Sequence, residues 1–279
     1  MQQITGPKVT LAALAAIFRK EMKHHMRYPG NFVIYLLLPF LFTFLILGMG
    51  MATGGASASS YFAERTGTSN VVVYEILGSA VWMTSWVVVE DVGVVLRDEQ
   101  MKGTLEQNFL APINRITLLI GLSLADVVIT SAIFFIVVGV TIAIVMPSSF
   151  FSIIPAFVAL LLGLVPLFGI CFLFAGFVVR FKEPYVFTQV VNLLFATLTG
   201  TYYPVTFLPY WIQLFSRLLP QTYVIADMRE IMIANQTLVN LYGSIFILLA
   251  LALLYPTLGY AIFKRIEKRA GVTGEFSKY

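Results

Sequence analysis

The sequence is poor in charged residues and in side chains that carry chemistry. Asp, Glu, Lys and Arg make up 11% of the 279 residues, whereas a soluble domain holds roughly a quarter. There are two histidines and one cysteine, so an intrachain disulfide is impossible. In contrast, 59% of the chain is hydrophobic. This balance excludes an ordinary soluble domain and indicates one large membrane domain over residues 1–279.

Motifs of catalysis and cofactor binding are also missing. No Gly-rich loop ends in Gly-Lys-Ser/Thr, so a phosphate cradle for ATP is not expected. His24 and His25 are adjacent, and neighbouring helix positions do not face one site, so we expect solvated histidines near the membrane surface. No serine-hydrolase elbow or zinc-protease pair appears. We predict no catalytic residue, no metal site and no cofactor in this chain.

The apolar residues are gathered into runs that are long enough to cross a bilayer, which takes about 20 residues of helix. Five of these runs are continuous. The remaining run, which comes fifth along the chain, is broken by Gly200, Pro204 and Pro209. We therefore predict that its lower half spans the membrane and that its upper half bends. We therefore predict an all-α integral membrane fold with six spans: 32–51, 71–96, 116–146, 153–179, 185–208 and 241–263.

The basic residues predict the orientation of these spans, because cytoplasmic loops are enriched in Lys and Arg. With both termini in the cytoplasm, fifteen of the 18 Lys and Arg residues fall on the cytoplasmic side. Only Arg65, Arg217 and Arg229 fall outside. The net charge of +4 therefore reflects membrane orientation and not nucleic-acid binding. We expect a multi-pass protein of the cytoplasmic membrane.

Residues 8–28 precede the first span and have an amphipathic pattern. On a helix, Leu11, Leu14, Ala15, Phe18, Met22 and Met26 share one face, and Lys20, Lys23 and Arg27 share another. This pattern predicts a helix lying in the cytoplasmic interface against lipid headgroups. The apolar run from Val9 to Phe18 also has about the length of a signal peptide, which leaves a cleaved leader as the alternative.

Four carboxylates fall within predicted spans: Glu75, Glu90, Asp91 and Asp126. Buried carboxylates are costly and often functional. These lie near the margins of the bilayer, whereas a proton relay needs carboxylates through its centre. We therefore favour ion pairs, for instance between Glu90 or Asp91 and a basic residue of a neighbouring helix. Proton coupling is the alternative.

The loop after the second span, 97–113, is longer than a turn. Thr104 follows Gly103 as a helix N-cap, Glu106 and Gln107 lie in the first turn, and Pro112 ends the helix. Such a helix would present Leu105, Phe109 and Leu110 on one side as a docking element for a soluble partner. An amphipathic loop resting on the membrane is the alternative.

Two motifs resemble a known family. Glu99-x-x-x-Gly103-Thr104-Leu105-Glu106, followed by Ala111-Pro112, resembles the loop after the second span in ABC exporter permeases of the second bacterial type. Leu219-Pro220-Gln221-Thr222-Tyr223, followed by Ala226-Asp227-Met228-Arg229, resembles the stretch before that family's last span. Together with the six spans, the resemblance covers almost the whole chain.

The resemblance implies a transport subunit that is not itself an enzyme. Its partners would be a separate ABC ATPase subunit, which binds ATP and Mg, a second permease subunit in a homodimer or heterodimer, and membrane lipid. The coupling helix that docks on the ATPase would include or adjoin these residues: Glu99, Gly103, Thr104, Leu105, Glu106, Phe109, Leu110 and Pro112. Residues 202–235 would form short half-inserted helices at an outer gate.

Aromatic residues give the only hint of a substrate. Aromatic faces can stack on flat drugs or sugars, but Tyr and Trp also belong at membrane interfaces for structural reasons. The candidate pathway residues are Trp82, Trp86, Tyr202, Tyr203, Phe207, Tyr210 and Trp211. Segment 199–209 is more similar to the drug and antibiotic exporters than to the polysaccharide exporters of the family, which favours a hydrophobic or amphiphilic cargo. A polysaccharide exporter, a proton-coupled carrier and a membrane-embedded enzyme are the alternatives.

Overall fold

The structure is a computed structural model that describes residues 7–55, 58–101, 115–178 and 184–273. All regular elements in these ranges are helical. The α-helices are α1 (Pro7–Arg27), α2 (Pro29–Gly54), α3 (Ala58–Thr66), α4 (Val71–Met101), α5 (Arg115–Val145), α6 (Ile153–Val178), α7 (Pro184–Leu198), α8 (Tyr210–Ser216), α9 (Pro220–Met232) and α10 (Tyr242–Thr273). Short 3₁₀ turns cover Pro147–Ser152 and Val205–Phe207.

Five of the described helices are long and apolar enough to cross a membrane: α2, α4, α5, α6 and α10. The prediction of an all-α membrane protein is therefore confirmed. The remaining predicted span corresponds to α7, which has 15 residues and ends at Leu198 instead of Leu208. At 1.5 Å per residue it is about 22 Å long, shorter than the ~30 Å hydrocarbon core. The chain turns after α7 because Gly200 takes a positive φ of 76°.

Helix α4 is the centre of the bundle and is buried along almost its whole spanning length, whereas α2 and α10 are mostly exposed. It packs against α2, α5, α6, α7 and α9. The most extensive helix pair is α6 with α10. Gly169 and Gly259 allow this approach, since a Cβ on Gly169 would collide with the backbone of Pro256. Small residues at such crossings let membrane helices touch backbone to backbone.

The amphipathic helix predicted near the N-terminus is present as α1, and it contacts α5. Ile17 packs against Gly121 of α5. Leu11 and Met26, which the periodicity assigns to the apolar face, are 66% and 76% exposed. Leu14, Phe18 and Met22, on the same face, are partly buried. The exposed residues of this face remain available for the predicted contact with the membrane interface.

Helix α3 and the segment 202–207 lie together at one end of the bundle, which we call the outer end after the predicted orientation. Here α2 ends at Gly54 and α4 begins at Val71. The predicted gate segment 202–235 contains a 3₁₀ turn and the helices α8 and α9. Helix α3 was not predicted, because its sequence is neither long nor periodic enough to be recognised.

Candidate functional site

A cavity of about 940 Å³ opens at the outer end of the bundle. It lies between the end of α2, helix α3, the first turn of α4 and the segment 202–207. Its wall is mainly apolar, with backbone and polar groups interspersed. Ligand pockets of proteins commonly enclose about 300–1,000 Å³ with mainly apolar walls and a few polar groups. This cavity is therefore large enough for a small organic molecule.

Arg229 of α9 holds three elements together beside this cavity. Its Nη1 donates to the Gly200 carbonyl at 2.8 Å and its Nη2 to the Thr201 carbonyl at 2.7 Å. Nε and Nη2 also donate to the Tyr74 carbonyl of α4, at 3.3 and 3.2 Å. The guanidinium carbon lies 3.4 Å from the centroid of the Tyr74 ring. The flat guanidinium fork thus binds carbonyls from α4 and from the turn after α7.

Gly78 of α4 makes room for this junction. A Cβ at this position would collide with the Thr201 carbonyl oxygen and would lie 2.7 Å from Arg229 Nη2. Hydrogen-bonded Thr199 and Thr201 hydroxyls, 3.0 Å apart, stabilise the same turn. Glycine at 78 therefore allows the turn after α7 to sit directly on α4.

Glu75 lies on the cavity wall and next to the Arg229 junction. The residue is 1% exposed, and its Oε2 has no hydrogen-bond partner among the described residues. Arg229 acts on it electrostatically, but the hydrogen bonds of that guanidinium go to the three carbonyls. A buried carboxylate oxygen without a donor is unusual, because it loses water without replacement.

The predicted aromatic residues are divided among three environments. Tyr202, Tyr203 and Phe207 line the cavity. Trp82 and Trp86 lie behind that wall in a cluster with Phe42 and Tyr202, with ring centroids 5.0–6.4 Å apart. Tyr210 and Trp211 are 70% and 64% exposed and lie away from the cavity. Their exposure favours the interfacial alternative for these two residues.

Of the other predicted carboxylates, Glu90 and Asp126 have separate partners. Glu90 accepts a hydrogen bond from Trp86 Nε1 of its own helix at 2.5 Å. It lies 15 residues from Glu75, or about 22 Å along α4. Asp91 belongs to the same helix, but its side chain is not among those that the structure describes. In the described ranges, no group of three or more His, Cys, Asp or Glu residues converges on a metal-sized site.

Asp126 of α5 forms an ion pair with the end of α1. His25 Nε2 lies 2.9 Å from Asp126 Oδ1, and both side chains are largely covered. The hydrogen bond to Asp126 raises the pKa of His25, while burial opposes the rise. This corrects the expectation of a solvated His25. Among the described residues, an ion pair of the kind expected for Glu90 or Asp91 occurs at Asp126, and the ion pair of Glu90 or Asp91 itself stays a prediction.

The predicted docking loop cannot be placed on this geometry. Gly103, Thr104, Leu105, Glu106, Phe109, Leu110 and Pro112 lie outside the described residues. Glu99 belongs to the backbone of α4, but its side chain is not described.

A comparison with protein families shows to which family the chain belongs. The profile of the ABC-2 type transporters matches residues 12–233, which is most of the chain and includes both motifs. The chain belongs to the ABC-2 type transporter family. The resemblance predicted from the two motifs is thereby confirmed. No curated protein matches the chain significantly.

Membership defines the general role of this ABC-2 protein. It is a multi-pass membrane protein and a permease subunit, a transport component and not a catalytic one. Permeases of this family generally work with an ABC ATPase subunit. The cavity and the Arg229 junction lie inside the matched region, and α10 lies beyond it.

Two features of this permease were missed in the sequence. Arg229 was treated as an external basic residue and as part of a family motif but was given no structural role, although it follows buried Ile225 by four positions and precedes buried Met232 by three. That spacing places it on the packed face of α9. The partner of Asp126 was also missed; the signal was that an acid inside a span needs a nearby cation or donor.

Proposed function

We propose that this permease forms the transmembrane half of an ATP-driven exporter of hydrophobic or amphiphilic small molecules. Two permease subunits, identical or different, would assemble with two ATPase subunits in the cytoplasmic membrane. Both termini would lie in the cytoplasm. ATP binding would close the ATPase pair, and differential binding of ATP to the two states would open the pathway outward.

The observation that carries this proposal is the cavity at the outer end. Its mainly apolar wall, with Tyr202, Tyr203 and Phe207, suits a flat or amphiphilic molecule. A polysaccharide would require a continuous row of hydrogen-bonding groups, and exposed carbon dominates this wall. We therefore favour the amphiphile over the sugar polymer.

Docking of the ATPase would depend on the loop 97–113. The triple replacement of Leu105, Phe109 and Leu110 by Asp places three charges on the predicted docking side. We expect the ATPase subunit to be lost when this variant is purified through a tag on the permease. Val239→Asp is the control: Val239 is 79% exposed near the outer end, and its replacement should leave copurification unchanged. Normal ATPase recovery with the triple variant would refute the docking assignment.

The energy source separates an exporter from a proton-coupled carrier. Efflux of a fluorescent amphiphilic dye from cells that express the complex should stop when ATP is depleted. It should continue when a protonophore collapses the proton gradient while ATP is maintained. The opposite pattern would favour the proton-coupled carrier.

A further inference from the structure

Among the described residues that line the cavity, Glu75 is the one acidic residue that is withdrawn from water. The other charged wall residues are Glu64 and Arg65 of α3, and both are exposed. Arg65 lies over the rings of Tyr61 and Phe207, at 5.4 and 6.0 Å from their centroids. Exposed charges are weakened by water and salt, whereas a charge in a low-dielectric site acts strongly. Glu75 therefore dominates the recognition of charge in the cavity.

The Oε2 atom of Glu75 needs a hydrogen-bond donor that the described chain does not provide. Arg229 is the neighbouring cation, but its donors are directed to the carbonyls of Tyr74, Gly200 and Thr201. These bonds hold the guanidinium on the Tyr74 ring and away from the cavity. Arg229 is also missing from the residues that line the cavity. A ligand can supply the donor without displacing Arg229.

The residues around Glu75 indicate which other groups such a ligand must carry. The hydroxyl of Tyr202 on the same wall is buried and has no partner among the described residues. Its ring is packed against Trp82 and Phe42, which fixes it in place. Carboxylate and aromatic faces together are the usual recognition elements for an organic ammonium group. A neutral molecule would leave Glu75 unpaired.

We propose that the outer cavity binds a protonated amine carried on an apolar or aromatic body, with an ammonium N–H donating to Glu75 Oε2. The apolar body lies along Tyr203 and Phe207. This inference rests on the proposed function, because it names the class of amphiphile that the exporter takes. It makes Glu75 a specificity-determining residue.

The test compares 2-naphthylmethylamine, which is protonated at neutral pH, with the neutral 2-naphthylmethanol. Binding is measured by calorimetry on the permease–ATPase complex in lipid nanodiscs, with empty nanodiscs as the blank. The wild type should bind the amine about tenfold more tightly than the alcohol, as a charge-assisted hydrogen bond provides. Glu75→Gln should remove that preference and change alcohol binding by less than about twofold.

Two further variants guard against misfolding and general charge effects. Glu75→Asp keeps the carboxylate and should retain part of the amine preference. Glu230→Gln removes an exposed carboxylate of α9 outside the cavity and should leave both affinities unchanged. Equal amine binding in Glu75→Gln and the wild type, or no amine binding to the wild type, would overturn the proposal.

ATP hydrolysis by the same complex separates this inference from the exporter itself. If Glu75-dependent amine binding occurs but neither compound stimulates ATP hydrolysis, the site is established and the exporter proposal fails. If both compounds stimulate hydrolysis equally in the wild type and in Glu75→Gln, the exporter is supported and the amine site is refuted.

Discussion

At the scale of single residues, the guanidinium of Arg229 connects segments at the outer end of the bundle. Arg229 provides donors for carbonyls of α4 and of the turn at Gly200 and Thr201, two segments that are distant in sequence. Backbone carbonyls at membrane depth must find a donor, because lipid offers none. Arg229 supplies it with a fork of several N–H groups, whereas a lysine supplies donors from a single nitrogen.

Removal of this fork should destabilise the fold more than removal of a surface arginine. We expect Arg229→Ala to lower the free energy of unfolding by about 3 kcal/mol, since it leaves the Gly200 and Thr201 carbonyls without their donor. Arg229→Lys should fall between Ala and the wild type. The measurement is denaturant unfolding of the purified protein in detergent.

Arg217→Ala is the matched control for this prediction. Arg217 is exposed, and its replacement should change the free energy of unfolding by less than about 0.5 kcal/mol. Equal effects of the two alanine substitutions would show that the Arg229 contacts contribute nothing special.

The contacts of Arg229 could not be predicted from the sequence. The motif around Ala226–Arg229 identified the family, but a motif does not reveal which atoms its arginine contacts. The carbonyls that it binds are 28 to 155 positions away in sequence. Only the fold brings them together.

At the scale of elements, α1 contacts α5 of the membrane bundle through its middle and through its C-terminal end. Ile17 packs on Gly121, and His25 pairs with Asp126 about two helical turns later. Glu21, on the same helix, also favours the protonated form of His25. The helix therefore has both an apolar and an ionic attachment to α5.

The ionic attachment should depend on pH. The contact with Asp126 raises the pKa of His25 above its ordinary value of 6.5, so folding favours protonated His25. The stabilisation is complete below about pH 6.5 and is lost as the pH rises through the higher pKa of the folded protein. We expect faster hydrogen exchange of α1 backbone amides at pH 8.5 than at pH 6.0, after correction for intrinsic rates.

Two variants separate His25 from the rest of the helix. His25→Gln should abolish the pH dependence, because glutamine does not titrate. His24→Gln should preserve it, since His24 is exposed and contacts Tyr28. An unchanged pH response in His25→Gln would place its origin elsewhere.

The elements themselves were largely predictable because apolar length determines which segments enter a bilayer. Long uninterrupted runs gave helices close to their expected limits, as with Arg115–Val145. The predicted span 185–208 included both a helix and the turn that follows it: α7 ends at Leu198, and the chain turns at Gly200, one of the residues predicted to break the span. The amphipathic pattern predicted α1 as a helix, but it did not reveal the contact of Ile17 with Gly121.

At the scale of the whole molecule, the outer cavity results from the junction of four separate segments. Phe207 and Tyr203 could be suspected from their aromatic content, but the buried Glu75 on the same wall could not. Its position in sequence indicated only a carboxylate near one end of a span. Glu75 becomes part of the cavity wall because segment 202–207 lies close to α4.

The orientation of the molecule remains a prediction from its charge distribution, and labelling can test it. The native Cys171 is fully buried, so Cys171→Ser gives a background without reactive thiols. Single cysteines are then placed at the exposed positions Lys23, Thr237 and Lys264. In intact cells, a membrane-impermeant maleimide should label only Thr237→Cys, because the basic flanks are held on the cytoplasmic side.

After permeabilisation, all three cysteines should react. The pair at Lys23 and Lys264 has a second use, because an even number of crossings requires both to behave alike. Labelling of one of them in intact cells would mean an odd number of crossings, and α7, at 15 residues, would then be the segment that fails to cross. Labelling of both, with Thr237→Cys protected, would invert the molecule and place the cavity and Glu75 on the cytoplasmic side, where cargo would be loaded and not released.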